Sequence, residues 1–208
     1  MTESVSYPTF GHSSVAATVD TLDLSAAAGA AEAFLSALGV DCDNPSMRKS
    51  PQRMAEAYAE MLTARPFEMT TFANDEGYDE LVVVTSIPVQ SLCEHHLLPF
   101  TGVAHVGYLP ADRILGLSKF ARVVERFARR PQVQERLTKQ IADWLDTHLS
   151  PKGVGVVIEA EHTCMTLRGA RAVGAVTRTS ALSGVLRDVP ASRAEFFASL
   201  DSRFPREG

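Results

Sequence analysis

The sequence contains no run of about 18 apolar residues, so it predicts neither a transmembrane helix nor a membrane partner. Its first residues, MTESVSYPTFGHSS, lack the basic start and the apolar stretch of a signal peptide, and we therefore expect a cytoplasmic protein. Basic residues are also few: the sequence has 20 Lys and Arg but 25 Asp and Glu, which gives a net charge of −5. That balance argues against a nucleic-acid partner but allows a local basic pocket for an anionic small molecule.

Cysteine is scarce as well, and the chain has only Cys42, Cys93 and Cys164. An odd number of cysteines in a chain expected to be cytoplasmic is a poor set for disulfides. It indicates free thiols or metal ligands instead.

A chain of 208 residues with 45% apolar and 22% charged residues suits one compact domain with an N-terminal extension. We expect a flexible arm at residues 1–22, an N-terminal helical region and linker at 23–80, and a core with a C-terminal helix at 81–208. In the helical region, Ser25 can cap a helix that stops at Gly39, and a second helix begins near Ser50-Pro51.

The core has the pattern of an α+β fold. Short β-branched stretches predict strands at LVVVTSI, TGVAHVGY, VGVVIEA and within GAVTRTSALSG. Between the second and third strands lie two helical patterns, with Pro131 ending the first helix and starting the next. A sheet of about four strands has two open edges, and pairing those edges with other copies predicts a homo-oligomer.

The densest chemistry in the sequence is CEHH at 93–96, followed far along by HTC at 162–164. The Cys-x-x-His spacing lets a thiolate and an imidazole converge in a turn, and zinc prefers these ligand types. Neighbouring residues in an extended stretch point to opposite sides, so His95 and His96 are not both expected to bind the ion. The spacing therefore predicts a zinc ion held by Cys93, His96 and Cys164.

Three protein ligands leave a fourth position for water, which is the arrangement of catalytic zinc. His95, His162 and the Glu94 carboxylate would then be available for proton transfer. Two plainer interpretations stay open. An isolated Cys or His is usually a packed core residue, and a structural zinc closed by His95 or His162 would suit a non-enzymatic scaffold or binding module.

Three long segments resemble the GTP cyclohydrolase I family, in the order that the family has: SLCEHHLLPFTGVAHVGYLP, GLSKFARVVERFARRPQVQERLTKQIA and EAEHTCMTLRGARAVGAVTRTSA. The resemblance runs from about Leu81 to Arg187. It implies the tunnelling fold (T-fold), an antiparallel sheet with two consecutive helices in a ββααββ core, here with an N-terminal helical arm. It also implies a homodecamer of two stacked pentamers with active sites between subunits.

The family hydrolyses GTP to 7,8-dihydroneopterin triphosphate and formate, so the resemblance implies GTP as the substrate and zinc as the cofactor. It implies that His162 protonates N7 of the purine and that His95, beside Glu94, assists proton transfer near the attacking water. Ser118 occupies the family position near the ribose. A reaction that stops at the ring-opened formamide, or that serves a specialised pterin or deazapurine pathway, is the alternative outcome.

The guanine base presents two parallel N–H groups, for which a carboxylate is the natural partner. The resemblance assigns this role to Glu135, with Gln134 beside it. For the triphosphate, arginine and lysine supply the matching charge. The positions implied are Lys119, Arg122 and Arg168, with Arg53 as an additional cation.

Overall fold

The structure is a computed structural model that describes residues 22–201. The arm predicted at residues 1–22 lies outside these residues except for its last position. The chain divides into two compact units, Met1–Ala59 and Glu60–Gly208. The boundaries predicted at residues 22 and 80 stay predictions. Across residues 22–201, every helix is too short or too polar to cross a membrane.

The first unit holds helix α1 (Leu24–Ala37) and most of helix α2 (Ser50–Leu62). Asp23 caps α1, since its carboxylate accepts a hydrogen bond from the Ala26 N–H at 2.9 Å. The prediction that Ser25 is the cap was wrong, because an acceptor two residues earlier already occupies that position and Ser25 lies within the helix. Gly39, with a φ of +80°, follows the end of α1 as predicted.

A five-stranded sheet forms the centre of the second unit, with the strand order β5-β2-β3-β6-β7. Its strands are β2 (Val82–Cys93), β3 (Pro99–Leu109), β5 (Pro131–Gln132), β6 (Gly153–His162) and β7 (Val176–Leu182). The pairs β2–β3, β3–β6 and β6–β7 are antiparallel, whereas β5 runs parallel to β2. All four predicted strands are therefore present.

Five helices lie within residues 60–201 of this unit, and the two between β3 and β6 and the C-terminal one were predicted. They are α3 (Leu117–Ala128), α4 (Gln134–Leu149), α5 (Thr163–Thr166), α6 (Gly184–Asp188) and α7 (Pro190–Asp201). This mixture of antiparallel strands and segregated helices confirms the α+β class. The short helices α5 and α6 were not predicted.

One local expectation was wrong. Pro131 lies in β5 and does not start α4, because the chain first extends to pair with Leu92 and Cys93. The predicted linker contains one short strand, since β1 (Thr71–Ala73) pairs with β4 (Arg113–Leu115) in a small second sheet.

The main core lies between one face of the sheet and helices α3 and α4. Alternate residues of the central strands are completely or almost completely buried, as period-2 packing requires. From β3 and β6 these include Phe100, Ala104, Val106, Tyr108, Val154, Val156, Ile158 and Ala160. Leu137, Ile141 and Leu145 of α4 cover them.

The opposite face carries a smaller cluster, in which Phe196 of α7 is 0% exposed. Its ring packs directly against Gly107 and Gly155 on neighbouring strands. A Cβ atom at these glycines would lie 2.9 and 2.7 Å from the ring. The absence of side chains at both positions is therefore what lets the aromatic ring approach the sheet.

Both edges of the sheet are largely open in the described part of the chain. Strand β7 pairs with β6 alone, and β5 covers β2 only at Leu92 and Cys93. These edges carry backbone groups suited to pairing with another strand.

Candidate metal centre and active site

The CEHH segment forms the turn that joins β2 to β3. The Cys93 N–H donates to the Leu98 carbonyl at 2.8 Å, and the Leu97 N–H donates to the Cys93 carbonyl at 2.7 Å. Leu97 has a φ of +52°, a left-handed conformation that closes this tight turn. Cys93 is consequently buried at the end of the strand, while Glu94, His95 and His96 extend from an exposed tip.

The HTC segment reaches the same place through strand pairing. The sheet register sets Leu92 opposite Pro99 and Phe100 opposite His162, so β2 and β6 both end beside the start of β3. The Thr163 hydroxyl then donates to the Pro99 carbonyl at 2.6 Å and holds the first turn of α5 against β3. Cys164 follows in that turn and is thereby brought to Cys93.

These strand ends create a cluster of metal-binding groups. One ligand atom each from Cys93, His162 and Cys164 lies within 4.8 Å of the others. Tetrahedral zinc with the usual bond lengths places neighbouring sulfur and nitrogen ligands about 3.5–3.8 Å apart. Two thiols and an imidazole at this spacing fit a zinc ion after small side-chain adjustments.

The imidazole in this group is His162, whereas the sequence predicted His96. The His96 Nδ1 lies 3.8 Å from the Cys93 sulfur, and the His95 Nδ1 lies 3.9 Å from the same sulfur. Three imidazoles therefore lie near the Cys93 thiol, and His162 is also near Cys164. His96 as the third ligand stays a prediction.

The electrostatics of the thiols favour a cation. Burial, reinforced by the neighbouring Cys93, raises the pKa of the Cys164 thiol. Two adjacent thiols cannot easily both lose their protons without a compensating positive charge. A divalent ion supplies that charge and converts both groups to thiolates.

His162 is held in a restricted environment. Its ring stacks on Phe100 with a centroid separation of 4.5 Å and an interplanar angle of 13°. Its Nε2 lies 2.8 Å from the side-chain oxygen of Gln134, the first residue of α4. Burial lowers the pKa of His162, and the negative charge of Glu135 partly opposes this effect. Neutral imidazole is thus the favoured form.

Arg136 is a site residue that the sequence reasoning missed. Its guanidinium forms an ion pair with Glu94, whose other carboxylate oxygen lies 3.9 Å from the His95 Nε2. The pair is about one-third exposed, so its contribution to folding is at most about 1 kcal/mol. Its place in the QVQERL motif, one residue after Glu135, was the available signal.

Two predicted substrate residues lie close to the cluster. Glu135 is exposed on the first turn of α4 and near enough to His162 to affect its pKa. Arg168 is exposed just after α5, and its charge acts on Cys164. A carboxylate and a guanidinium thus flank the metal-binding groups.

The remaining predicted residues are not gathered there. Ser118, Lys119 and Arg122 lie in the first half of α3, where Arg122 pairs with Glu125 at 3.3 Å. The other end of α3 contacts the site strand, because the Ser91 hydroxyl donates to the Ala128 carbonyl at 2.6 Å. At 1.5 Å per residue, Ser118 is about 15 Å from that end along the helix axis.

Arg53 belongs to the first unit, in α2. Its predicted contact with phosphate stays a prediction.

Comparison with known proteins identifies the family. The sequence model described as GTP cyclohydrolase I matches residues 27–201. The protein named GTP cyclohydrolase 1 from Streptomyces griseus is 50% identical over 190 residues, which cover 89% of this chain and 94% of the relative. Those of Aquifex aeolicus and Mycobacterium tuberculosis are 52% and 50% identical, over 78% and 88% of this chain and 89% and 93% of the relatives.

A solved structure, the apo form of the archaeosine synthase QueF-Like, aligns with 50% of this chain and 93% of its own at 19% identity, with a TM-score of 0.42. The family assignment depends instead on the sequence match, which covers most of the chain and contains both halves of the thiol cluster. This chain belongs to the GTP cyclohydrolase I family.

Proposed function

We propose that this chain is a zinc-dependent GTP cyclohydrolase I, which hydrolyses GTP to 7,8-dihydroneopterin triphosphate and formate at the start of pterin and folate biosynthesis. The observation that carries the proposal is the convergence of Cys93, Cys164 and His162 in a member of this family. Glu135 beside this group adds the carboxylate that guanine recognition needs.

The donor set fits zinc better than a hard cation, because sulfur and imidazole nitrogen are its preferred ligands. We propose Cys93, His96 and Cys164 as the protein ligands. When bound, zinc would supply Lewis-acid chemistry that lowers the pKa of water toward about 7.

The guanine base would be held by Glu135. Its carboxylate accepts hydrogen bonds from N1–H and the 2-amino group, a bidentate pairing that selects guanine over adenine. Glu135 lies on the same helical turn as Gln134, which contacts His162. A base bound to Glu135 would therefore present its imidazole ring toward the histidines.

Proton transfer would fall to His162 and His95. His162 donates a proton to N7 of the purine, which makes C8 more electrophilic. His95 accepts a proton from the attacking water, and Glu94, held by Arg136, lies beside the ring of His95. Histidine suits these steps because its ordinary pKa of about 6.5 allows both protonation states near neutral pH.

The triphosphate would be bound by Lys119, Arg122, Arg168 and Arg53, with Ser118 near the ribose. Lys119 and Arg122 lie in the part of α3 that is remote from the thiol cluster of the same chain. We propose that one copy supplies these α3 residues and another supplies the metal centre. The assembly would be a T-fold homodecamer of two pentamers, in which copies pair along the open edges of β2 and β7.

The activity is tested by incubating the zinc-loaded protein with GTP and measuring formate, the mass of the product and, after oxidation, pterin fluorescence. Equal amounts of formate and dihydroneopterin triphosphate are expected. Failure to release formate would contradict the proposal. Accumulation of an uncyclised formamide would indicate a ring-opening activity instead. Four protein ligands on the zinc ion, with no position left for water, would favour a non-enzymatic scaffold.

The third ligand is tested separately by measuring zinc per chain in His96→Ala and His162→Ala. His96→Ala should lose zinc, whereas His162→Ala should keep zinc and lose turnover. The reverse pattern would replace His96 by His162 as the ligand.

A mixing experiment tests the shared site. Cys164→Ala and Lys119→Ala chains should each be inactive alone. Hybrids made by coexpression should regain activity, because some sites combine an intact metal centre with an intact α3. Inactive hybrids of normal size would contradict a site formed between copies.

A further inference from the structure

Gln134 lies where helix α4 meets two strands, and it is only 1% exposed. Its side-chain Nε2 donates to the carbonyl oxygens of Ile158 on β6 and Thr177 on β7, at 3.0 and 2.9 Å. A carbonyl oxygen can only accept a hydrogen bond, so the NH₂ end of the amide must face the strands. The orientation of the buried amide is therefore determined by the backbone.

The opposite end of the amide faces His162. The Gln134 Oε1 lies 2.8 Å from the His162 Nε2, and an amide oxygen has no hydrogen to donate. The hydrogen in this contact must therefore be on Nε2. In the neutral ring, Nδ1 then carries the lone pair.

The buried Thr138 of α4 and the half-buried Thr179 of β7 extend this network. The Thr138 hydroxyl donates to the Gln134 carbonyl at 2.7 Å and lies 2.6 Å from the Thr179 hydroxyl. Because the Thr138 hydrogen is already used, Thr179 donates to Thr138. The Thr179 oxygen can then accept from the Gln134 Nε2 at 3.2 Å. Each donor in this network has an assigned acceptor, which favours a single arrangement.

We infer that Gln134 is a positioning residue that fixes the Nε2–H tautomer of His162 and so leaves Nδ1 as the nitrogen that can exchange a proton. This role differs from a side-chain guanine contact of Gln134, as predicted from the sequence, because both polar atoms of its side chain are engaged within the chain. Phe100 fixes the plane of the ring by stacking, and Gln134 fixes which nitrogen carries the hydrogen.

The tautomer determines which nitrogen of His162 acts in the proposed reaction. With the Nε2–H held by Gln134, Nδ1 first takes up a proton from solvent, and His162 then passes that proton from Nδ1 to N7 of the purine. Loss of the Gln134 acceptor would let the ring rotate or change tautomer, so turnover should fall while GTP binding through Glu135 persists. Removing a group that orients an active-site histidine typically costs about 10- to 100-fold in activity.

The tautomer is measured by magic-angle-spinning ¹⁵N spectra of the full-length, zinc-free, reduced protein labelled only at histidine. The pH is kept at one value above the titration range of histidine, and a His162→Asn sample assigns the signal. The wild type should show a protonated Nε2 and an unprotonated Nδ1 at His162. Gln134→Met, which keeps the chain length but removes the acceptor, should lose this signature and lower kcat about 10- to 100-fold with little change in KM.

Two further variants separate positioning from general damage. Gln134→Glu keeps an acceptor for the His162 Nε2–H, with its other carboxyl oxygen protonated so that it can donate to a strand carbonyl, and should retain the tautomer and recover part of the kcat lost in Gln134→Met. Gln132→Met removes another glutamine that is 1% exposed but whose amide contacts Phe127 and Gln140, so it should leave the His162 spectrum unchanged.

A wild-type His162 protonated at Nδ1 would overturn the inference even if Gln134→Met failed to fold. An unchanged His162 spectrum in folded Gln134→Met would overturn it as well. The expected kcat effect depends on the proposed function, but the tautomer does not. A wild type that has the expected spectrum yet releases no formate would refute the activity alone.

Discussion

Replacing Gly155 by alanine should destabilise the chain, because the new Cβ would lie 2.7 Å from the Phe196 ring. Phe196 is 0% exposed, so the ring cannot yield without disturbing the cluster that α7 forms on the sheet. Overpacking of this kind lowers the free energy of unfolding by about 1–3 kcal/mol. Phe196→Ala leaves a cavity instead and should lower it by about 3–5 kcal/mol.

The double variant is the sharper test of this contact. With the Phe196 ring removed, the methyl group at position 155 enters free space, so the two losses should not add. A coupling of about 0.5–3 kcal/mol is typical of residues in direct contact. Urea unfolding monitored by circular dichroism, at one fixed chain concentration, measures all three losses.

Gly29→Ala is the matched control for the glycine substitution. A Cβ at Gly29 would meet nothing within 4 Å, and the residue lies inside α1, where alanine is favoured. This variant should be neutral or slightly more stable. Strictly additive losses at positions 155 and 196, or a neutral Gly155→Ala, would refute the packing argument.

Three further outcomes are expected. Cys164→Ala should lose bound zinc and turnover, whereas Cys42→Ala should keep both. Metal analysis and a formate assay measure these two properties. If Cys164→Ala retains both metal and rate, Cys164 is not a zinc ligand. Glu135→Ala should lower kcat/KM for GTP about 5- to 150-fold while the zinc content stays unchanged. This factor corresponds to the roughly 1–3 kcal/mol of a bidentate base contact. Unaltered kinetics would exclude Glu135 from base recognition. The Arg65 hydrogen bond lowers the pKa of Glu125, so this pair should stabilise the fold above the ordinary Glu pKa of about 4.3 and lose its effect as the pH falls through the lowered value. Unfolding curves measured between neutral and acidic pH should show this loss of stability in the wild type but not in Arg65→Met. The same pH dependence of stability in the wild type and Arg65→Met would contradict the prediction.

The sequence predicted the elements whose patterns are long and regular. Strands β2, β3, β6 and β7 and helices α3 and α4 carry strong periodicity, so their type and order could be deduced without the structure. The family motifs then supplied the chemistry of the thiols and histidines, because those residues lie within two of the three contiguous segments.

Features that depend on contacts across the chain were not predictable in this way. Nothing within the sequence near Pro131 indicates that β2 is available to pair with it, so a helix start was the more natural expectation. The same limit applies to Arg136, whose partner Glu94 belongs to a turn far away in sequence. The family resemblance placed Gln134 beside Glu135 at the guanine base, and its burial follows only from the position of α4 against β6 and β7.

The register of the central strands has a consequence for how the proposed zinc site would form. The turn at Cys93 is local, but Cys164 joins it only after β6 has paired along the whole of β3. A partly folded chain would offer zinc one thiol and nearby imidazoles, which release the ion readily. Tight zinc binding is expected only when the sheet is complete. The fraction of chains that carry zinc in the cell would therefore indicate the fraction that has finished folding.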